Sequence, residues 1–273
     1  MKRGLVTSTI APLMLKPNFH TETADEALCG MVLEILEEHK EDWYYCKTGY
    51  NYMGYVHKNN ICVDNEEAKK WEKEAKNIIL HRYVDVMAKP KYQSHIIHNL
   101  VKGSVIKLTK NTSEAWSKII LPDKREGWIK TTYIGEYVTT FKNIPEEKLR
   151  ENLVSTALDY LGTQYRWGGK SHLGIDCSGL CSISYLINGA KIYRDAQIKE
   201  GYDMREISKE ELKKGDLIFF PGHVAMYLGH DKYVHSSSSV HGVRINSLNP
   251  EDSDYKEDLA KTITKYGSIF NSQ

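Results

Sequence analysis

Gly174-Ile175-Asp176-Cys177-Ser178-Gly179-Leu180 places a cysteine between an acid and a small-residue turn, where an apolar helical period begins. Leu180, Ile183 and Ile187 carry that period onward, so the spacing predicts a helix from about Cys177 to Ile187. A thiol at the start of a helix meets unpaired N–H groups and the positive end of the dipole, both of which favour the thiolate. A nucleophile of this kind also needs a base to take its proton and donors to hold an oxyanion.

Two downstream histidines fit the first requirement. His223 follows Pro221-Gly222 and opens the predicted strand His223-Val224-Ala225-Met226-Tyr227-Leu228, and His235 closes Lys232-Tyr233-Val234-His235. Two neighbouring strands would set His235 behind His223 and orient its ring, the role of a third triad member. Residue type alone favours a small buried thiol over a catalytic one, and that is the reading for Cys29, Cys46, Cys62 and Cys181. The acid and glycine flanking Cys177, the Trp167-Gly168-Gly169 turn before it and the ordered histidines set it apart. His57, His81, His95, His98, His230 and His241 have no such company, and His95-x-x-His98 lacks Cys or acidic partners at metal-ligand spacing. Ser236 to Ser239 read as a polar loop.

Upstream, Pro145-Glu146-Glu147 is a helix start with proline and acids in the first turn. Leu149, Leu153, Ala157 and Leu161 form its apolar stripe and Gly162 its stop. Downstream of Cys177, strands are expected at Asp216–Phe220, Val224–Leu228, Tyr233–His235 and Val243–Leu248. Helices first and antiparallel strands after make this part an α+β domain.

The first half of the chain has a different texture. Val32–Glu37, Trp43–Lys47 and Gly54–Val56 are short β-type segments, and Gly103–Leu108, Ala115–Ile120 and Gly127–Ile129 repeat their order. Trp43 precedes Gly54-Tyr55-Val56 by the same interval that separates Trp116 from Gly127-Trp128-Ile129, which indicates two copies of one small barrel. Between them DNEEAKKWEKEAKNIIL, from Asp64 to about Leu80, predicts a connector helix with a solvated face, capped by Asp64 or Asn65. The expected divisions are 1–63, 64–81, 82–142 and 143–273.

With 273 residues, 37 Lys+Arg against 36 Asp+Glu, and a net charge of +1, the chain is neither a charged disordered tail nor a binder of nucleic acid through bulk charge. No stretch approaches the ~18 consecutive apolar residues of a membrane span. Met1-Lys2-Arg3 has the charge of a signal-peptide tip, but Thr7, Ser8, Thr9 and Pro12 interrupt any apolar core behind it. With five cysteines, an odd number, the expected location is cytoplasmic, or the cell wall if a leader has been removed.

Five motifs in order carry a family resemblance: Tyr165-x-Trp167-Gly168-Gly169, Asp176-Cys177-Ser178-Gly179, Lys214-Gly215-Asp216-Leu217-Ile218-Phe219-Phe220, His223–Gly229, and Val234-His235-Ser236-Ser237. Over about residues 145–270 the chain resembles the NlpC-type family of bacterial cell-wall cysteine peptidases. The repeated segments resemble bacterial SH3-like domains. The resemblance implies a reduced papain-like core behind two SH3-like β-barrels, acting on murein peptides without metal or organic cofactor. It makes Cys177 the nucleophile, His223 the general base and His235 its orienting partner, with the Tyr165 hydroxyl and the Cys177 backbone N–H holding the oxyanion. Trp167, Asp176 and Ser178 would line the pocket; a helix cap, a first-turn serine and a packing indole are their plainer alternatives.

The order of domains is similar to that of γ-D-glutamyl-L-diamino acid endopeptidases of murein recycling. In that group an acid and a tyrosine of the first barrel bind the free amine of an N-terminal L-Ala. Glu22 is matched to the acid, with Asp25 second, and Tyr52 to the tyrosine; a surface acid and a core tyrosine are the alternatives. The family's Arg-Asp-Ser element reads Arg194-Asp195-Ala196 here, so two substrate-binding positions match and the serine is replaced. Two other functions fit the same sequence: an amidase or acyltransferase on this scaffold, or a non-catalytic cell-wall binding protein. No obligate protein partner is implied.

Overall fold

A computed structural model of the chain describes residues 2–39 and 42–271. The chain forms two units, Met1–Tyr137 and Val138–Gln273. In the first unit, strands β1 (Lys2–Val6), β2 (Ile10–Met14), β3 (Thr23–Leu28), β4 (Val32–His39), β5 (Trp43–Thr48), β6 (Met53–His57) and β7 (Ile61–Val63) make one antiparallel sheet in the order β3-β2-β6-β5-β4-β1-β7. A second sheet holds β8 (Asn77–Ile79), β9 (Tyr83–Met87), β10 (Ile96–Val101), β11 (Val105–Ser113), β12 (Trp116–Ile120), β13 (Glu126–Lys130) and β14 (Ile134–Glu136). Its order is β10-β9-β13-β12-β11-β8-β14.

Raising every label of the first sheet by seven gives the second. The register repeats as well: Trp43 opens β5 opposite His57, and Trp116 opens β12 opposite Lys130. In both copies the strand after the tryptophan alternates, burying Gly54 and Val56 in one and Gly127 and Ile129 in the other. That alternation is what a sheet with one buried face requires. Val6, Leu13, Leu33, Ile35 and Val56 fill the first core, and Ile79, Val84, Leu100, Ile106 and Ile129 the second.

The connector helix α1 is Asn65–Glu74, with Asp64 as its cap: the carboxylate accepts from the Glu66 and Glu67 N–H groups at 3.0 and 3.1 Å. Ala68 and Trp71 are its buried face, and Trp71 packs with Leu5, Ala75 and Val105 between the two sheets. The Trp71 indole N–H donates to the Gly30 carbonyl at 3.0 Å. Gly30 has φ +82°, and a Cβ there would lie 2.0 Å from the Val105 carbonyl oxygen, so only glycine fits. The helix expected to reach about Leu80 stops at Glu74 because Ala75 turns extended. Asn77-Ile78-Ile79 then forms β8 between β11 and β14, so the second sheet begins before residue 82.

In the second unit, α2 (Glu146–Leu158) buries Leu149, Leu153 and Ala157. After Leu158 the backbone tightens into three-residue turns, Tyr160 N–H to Ala157 O and Leu161 N–H to Leu158 O, which leaves Leu161 exposed rather than on the stripe. The pair β15 (Lys170–Ser171) and β16 (Gly174–Ile175) leads into α3 (Cys177–Ile187). The sheet that follows is β17 (Arg205–Ile207), β18 (Leu217–Phe220), β19 (His223–Gly229), β20 (Lys232–Ser237), β21 (Gly242–Ser247) and β22 (Lys265–Ser268), with a one-turn helix α4 (Glu257–Ala260) before β22. Its order is β17-β22-β18-β19-β20-β21.

Helix α3 packs against α2, β19 and β20 and is buried at every position but Leu186. Its serines make that possible: Ser182 and Ser184 donate back to the Gly179 and Leu180 carbonyls at 3.2 and 2.7 Å, so their hydroxyls enter the core satisfied. Beneath it, buried Asp216 accepts from Arg150 of α2 at 2.9 Å, from Ser268 of β22 at 2.6 Å and from the Lys213 N–H at 2.8 Å.

Candidate active site

The N-terminus of α3 is held by a buried ion pair. Asp176, its cap, accepts from the Gly179 N–H at 2.6 Å and from the Gly168 N–H at 2.7 Å. Arg194 reaches both carboxylate oxygens at 3.0 Å and also donates to Ser178 Oγ at 2.7 Å and the Gly169 carbonyl at 3.2 Å. Arg194 is 1 % exposed and Asp176 6 %. A forked, charge-assisted pair of this kind fixes orientation as well as energy. Glycine is needed on both sides of this close approach: a Cβ on Gly179 would lie 2.1 Å from the Gly169 carbonyl oxygen, and one on Gly169 would lie 2.4 Å from the Gly174 carbonyl oxygen. Asp176 and Arg194 thus face each other behind the cysteine.

Cys177 sits at the first position of α3, where the first helical N–H groups have no intrahelical acceptor. The backbone N–H groups of Ser178 and of Val224 on β19, the residue after His223, favour its thiolate form. Helix α3, which carries the thiol, packs on β19, which His223 opens, and among the described residues no hydrogen bond joins the two side chains. The electrostatics differ from the depressed thiol expected from the helix terminus. Burial, and then the Asp176 carboxylate, push the Cys177 thiol up to about 11, against the pull of the two N–H groups and Arg194. Burial and the neighbouring His235 push His223 down to about 4. Desolvation penalises each charged form, which favours a neutral thiol beside a neutral imidazole at rest.

Two pH consequences follow. Since the folded value of His223 lies below its ordinary 6.5, the native state binds less proton than the unfolded chain between the two values. That share of stability is complete above about 6.5 and is lost as pH falls through about 4. The thiolate absorbance of wild type minus Cys177→Ser is expected to be absent at neutral pH and to grow only toward about pH 11. A thiolate already complete in mildly acidic solution would contradict the neutral pair.

His223 Nε2 lies 2.8 Å from His235 Nδ1, and His235 Nε2 lies 3.0 Å from Asn246 Oδ1. The three side chains come from adjacent strands β19, β20 and β21. Burial lowers the His235 pKa, partly offset by the Asn246 hydrogen bond. Asn246 was not singled out by sequence reasoning, because an asparagine in a strand carries no mark until pairing places it. Tyr165 bridges to Ile175 through its backbone and is half-buried. Burial, with the Cys177 and Asp176 charges next, raises its phenol to about 12, so it remains a donor.

Ser178, Cys181, Tyr193, Asp195, Phe219 and Val224 line a recess beside the thiol. Asp195 accepts from the Tyr193 hydroxyl there. Trp167 is 62 % exposed, next to the buried Gly168-Gly169 turn. In the first unit Glu22 is exposed and Tyr52 half-buried. Asp25 is fully buried on β3 and accepts from the Tyr50 hydroxyl at 2.5 Å. No helix among the described residues is long and apolar enough to cross a membrane.

Residues 162–260 match the model of the NlpC/P60 family, and residues 13–61 match that of the bacterial dipeptidyl-peptidase SH3 domain. The chain is 44 % identical to dipeptidyl-peptidase 6 of Lysinibacillus sphaericus, over 98 % of this chain and 99 % of that one. It is 34 % identical to a γ-D-glutamyl-L-lysine dipeptidyl-peptidase of Bacillus cereus, over 48 % of this chain and 41 % of that one. A crystal structure of an NlpC/P60 family protein from Bacillus cereus superposes with a TM-score of 0.81, covering 97 % of this chain and 98 % of that one at 20 % identity.

Proposed function

Because the chain belongs to the NlpC/P60 family and is a cysteine peptidase, we propose that it cuts the γ-D-glutamyl–diamino acid bond of murein peptides with a free N-terminal L-Ala. Cys177 attacks the γ-carbonyl of D-Glu while His223 takes the Sγ proton and returns it to the departing amine. Water then hydrolyses the thioester, releasing L-Ala-γ-D-Glu and restoring the thiol. The Cys177 N–H and the Tyr165 hydroxyl are the donors for the oxyanion, and a phenol that stays protonated suits that task.

The observation that carries this reading is Cys177 at the Asp176-capped start of α3, a helix packed on the strands that hold the linked His223 and His235. The names of the relatives support the rest: dipeptidyl-peptidase 6 along the whole chain, and a γ-D-glutamyl-L-lysine enzyme over part of it. In this reading the N-terminal sheets are SH3-like barrels and the second unit a papain-like core. Ser178, Asp195 and the exposed Trp167 contact the peptide, while Asp176 and Arg194 hold the helix that presents the thiol. Glu22, with Asp25 second, and Tyr52 are the residues proposed for the substrate ammonium, as the family resemblance implies. The enzyme works in the cytoplasm, where its five free thiols stay reduced.

Assay of L-Ala-γ-D-Glu-diaminopimelate beside its N-acetyl form, with products identified by mass spectrometry, tests the proposal. Release of L-Ala-γ-D-Glu, with kcat/KM lower by ~10²-fold or more on the acetylated peptide, is the expected result. Equal rates would discard the amine recognition. A different scissile bond would favour the amidase or acyltransferase reading, and binding to sacculi without any release would favour a non-catalytic one.

A further inference from the structure

The hydrogen bonds behind His223 end on a group that cannot be reversed. Asn246 Nδ2 lies 2.8 Å from the Asp254 main-chain carbonyl, which can only accept, so the amide nitrogen must face it. Asn246 Oδ1 then faces His235 Nε2 at 3.0 Å and, being an acceptor, requires a proton on that nitrogen. A neutral His235 with its proton on Nε2 offers a lone pair at Nδ1, 2.8 Å from His223 Nε2. His223 must therefore donate from Nε2, and its own lone pair is left on Nδ1.

The anchor itself is tied down. The Asp254 carbonyl also accepts from the Ser247 N–H at 3.1 Å. The segment around it is clamped by Lys232, whose ammonium meets Asp252 at 2.8 Å and Asp254 at 2.7 Å. Ser247 Oγ adds a hydrogen bond to Asp252 at 2.6 Å.

We propose that Asn246, oriented by the Asp254 carbonyl, is a positioning residue that sets the tautomers of His235 and His223 and thereby leaves the base nitrogen of His223 open for the thiol proton. The inference rests on the catalytic reading of Cys177 and His223 and adds the group that decides which imidazole nitrogen is basic. Charged and titratable groups facing the two rings are Tyr233 on β20, Lys256 and Asp258 from the segment around α4, and each ring to the other. Lys256 opposes and Asp258 favours a proton on His235, so the neutral amide decides the tautomer without adding a charge.

The test is ¹⁵N NMR of the full chain labelled at histidine, with kinetics of two variants. In the wild-type protein both His223 and His235 should show the Nε2–H pattern near neutral pH, a result that needs no substrate and so stands or falls apart from the proposed activity. Asn246→Leu should move His235 away from that pattern and lower kcat by ~10–100-fold with KM little changed, the scale of groups that orient a functional histidine from behind. Asn246→Asp loses the donor contact to the Asp254 carbonyl but still accepts from Nε2–H through its other oxygen, so it should keep the tautomers and retain more activity than Asn246→Leu. Its carboxylate favours the imidazolium forms, so the acid limb of kcat/KM should move to higher pH. An Nδ1–H His235 in the wild type, or a folded Asn246→Leu with unchanged spectrum and kcat, would overturn the proposal.

Discussion

Cys177→Ala is expected to lower kcat/KM by ~10⁴-fold or more while the protein stays folded, because in the proposed mechanism its sulfur carries the acyl group. The side chain is 8 % exposed, so its loss leaves a small gap. A stability cost of ~1–2 kcal/mol follows, too little to unfold a domain of this size. Rates on the murein tripeptide, with a thermal melt of the same sample, check both parts. Turnover within tenfold of wild type would place the nucleophile elsewhere.

The second large effect is structural. Arg194→Met is expected to destabilise the protein by ~3–5 kcal/mol, since it strands the 6 %-exposed Asp176 carboxylate without its forked partner. The loss should also lower kcat, because the carboxylate and guanidinium together hold Gly168, Gly169, Ser178 and Gly179 around the thiol. Adding Asp176→Asn should cost less than the sum of the two single changes, the mark of direct coupling. Urea unfolding of the four proteins measures it; an Arg194→Met cost below ~1 kcal/mol, typical of an exposed pair, would contradict the buried-pair account.

Sequence periodicity carried much of this architecture. The stripe of Leu149, Leu153 and Ala157 lies buried on α2, and α3 has the limits that Leu180, Ile183 and Ile187 indicate. The tryptophan-to-glycine interval is reproduced as one sheet order written twice. Local pattern failed where distant chain decides the state. Asn77-Ile78-Ile79 continues a helix-forming run but is drawn into strand by β11 and β14. Likewise β22, near the end of the chain, slots between β17 and β18, a pairing that no local signal announces.

The site divides in the same way. The cysteine at a helix start and the order of two strand histidines are visible in the residues themselves. Charge state is not, because it depends on burial: the helix terminus favours a thiolate, but desolvation and Asp176 outweigh it. The acid and tyrosine proposed for the substrate amine carry no local mark either. Glu22, Asp25, Tyr50 and Tyr52 lie close in sequence, yet one acid is exposed and the other fully buried against a phenol. Asn246 becomes meaningful only once β21 lies beside β20.

Covalent catalysis by Cys177 is tested most directly by turnover of L-Ala-γ-D-Glu-diaminopimelate in the presence of hydroxylamine. A thioester partitions between water and the added nucleophile, so the γ-hydroxamate of L-Ala-γ-D-Glu should form in rising proportion with hydroxylamine concentration. Formation of the free dipeptide alone at every concentration would mean that water attacks the peptide directly and that no acyl-enzyme exists.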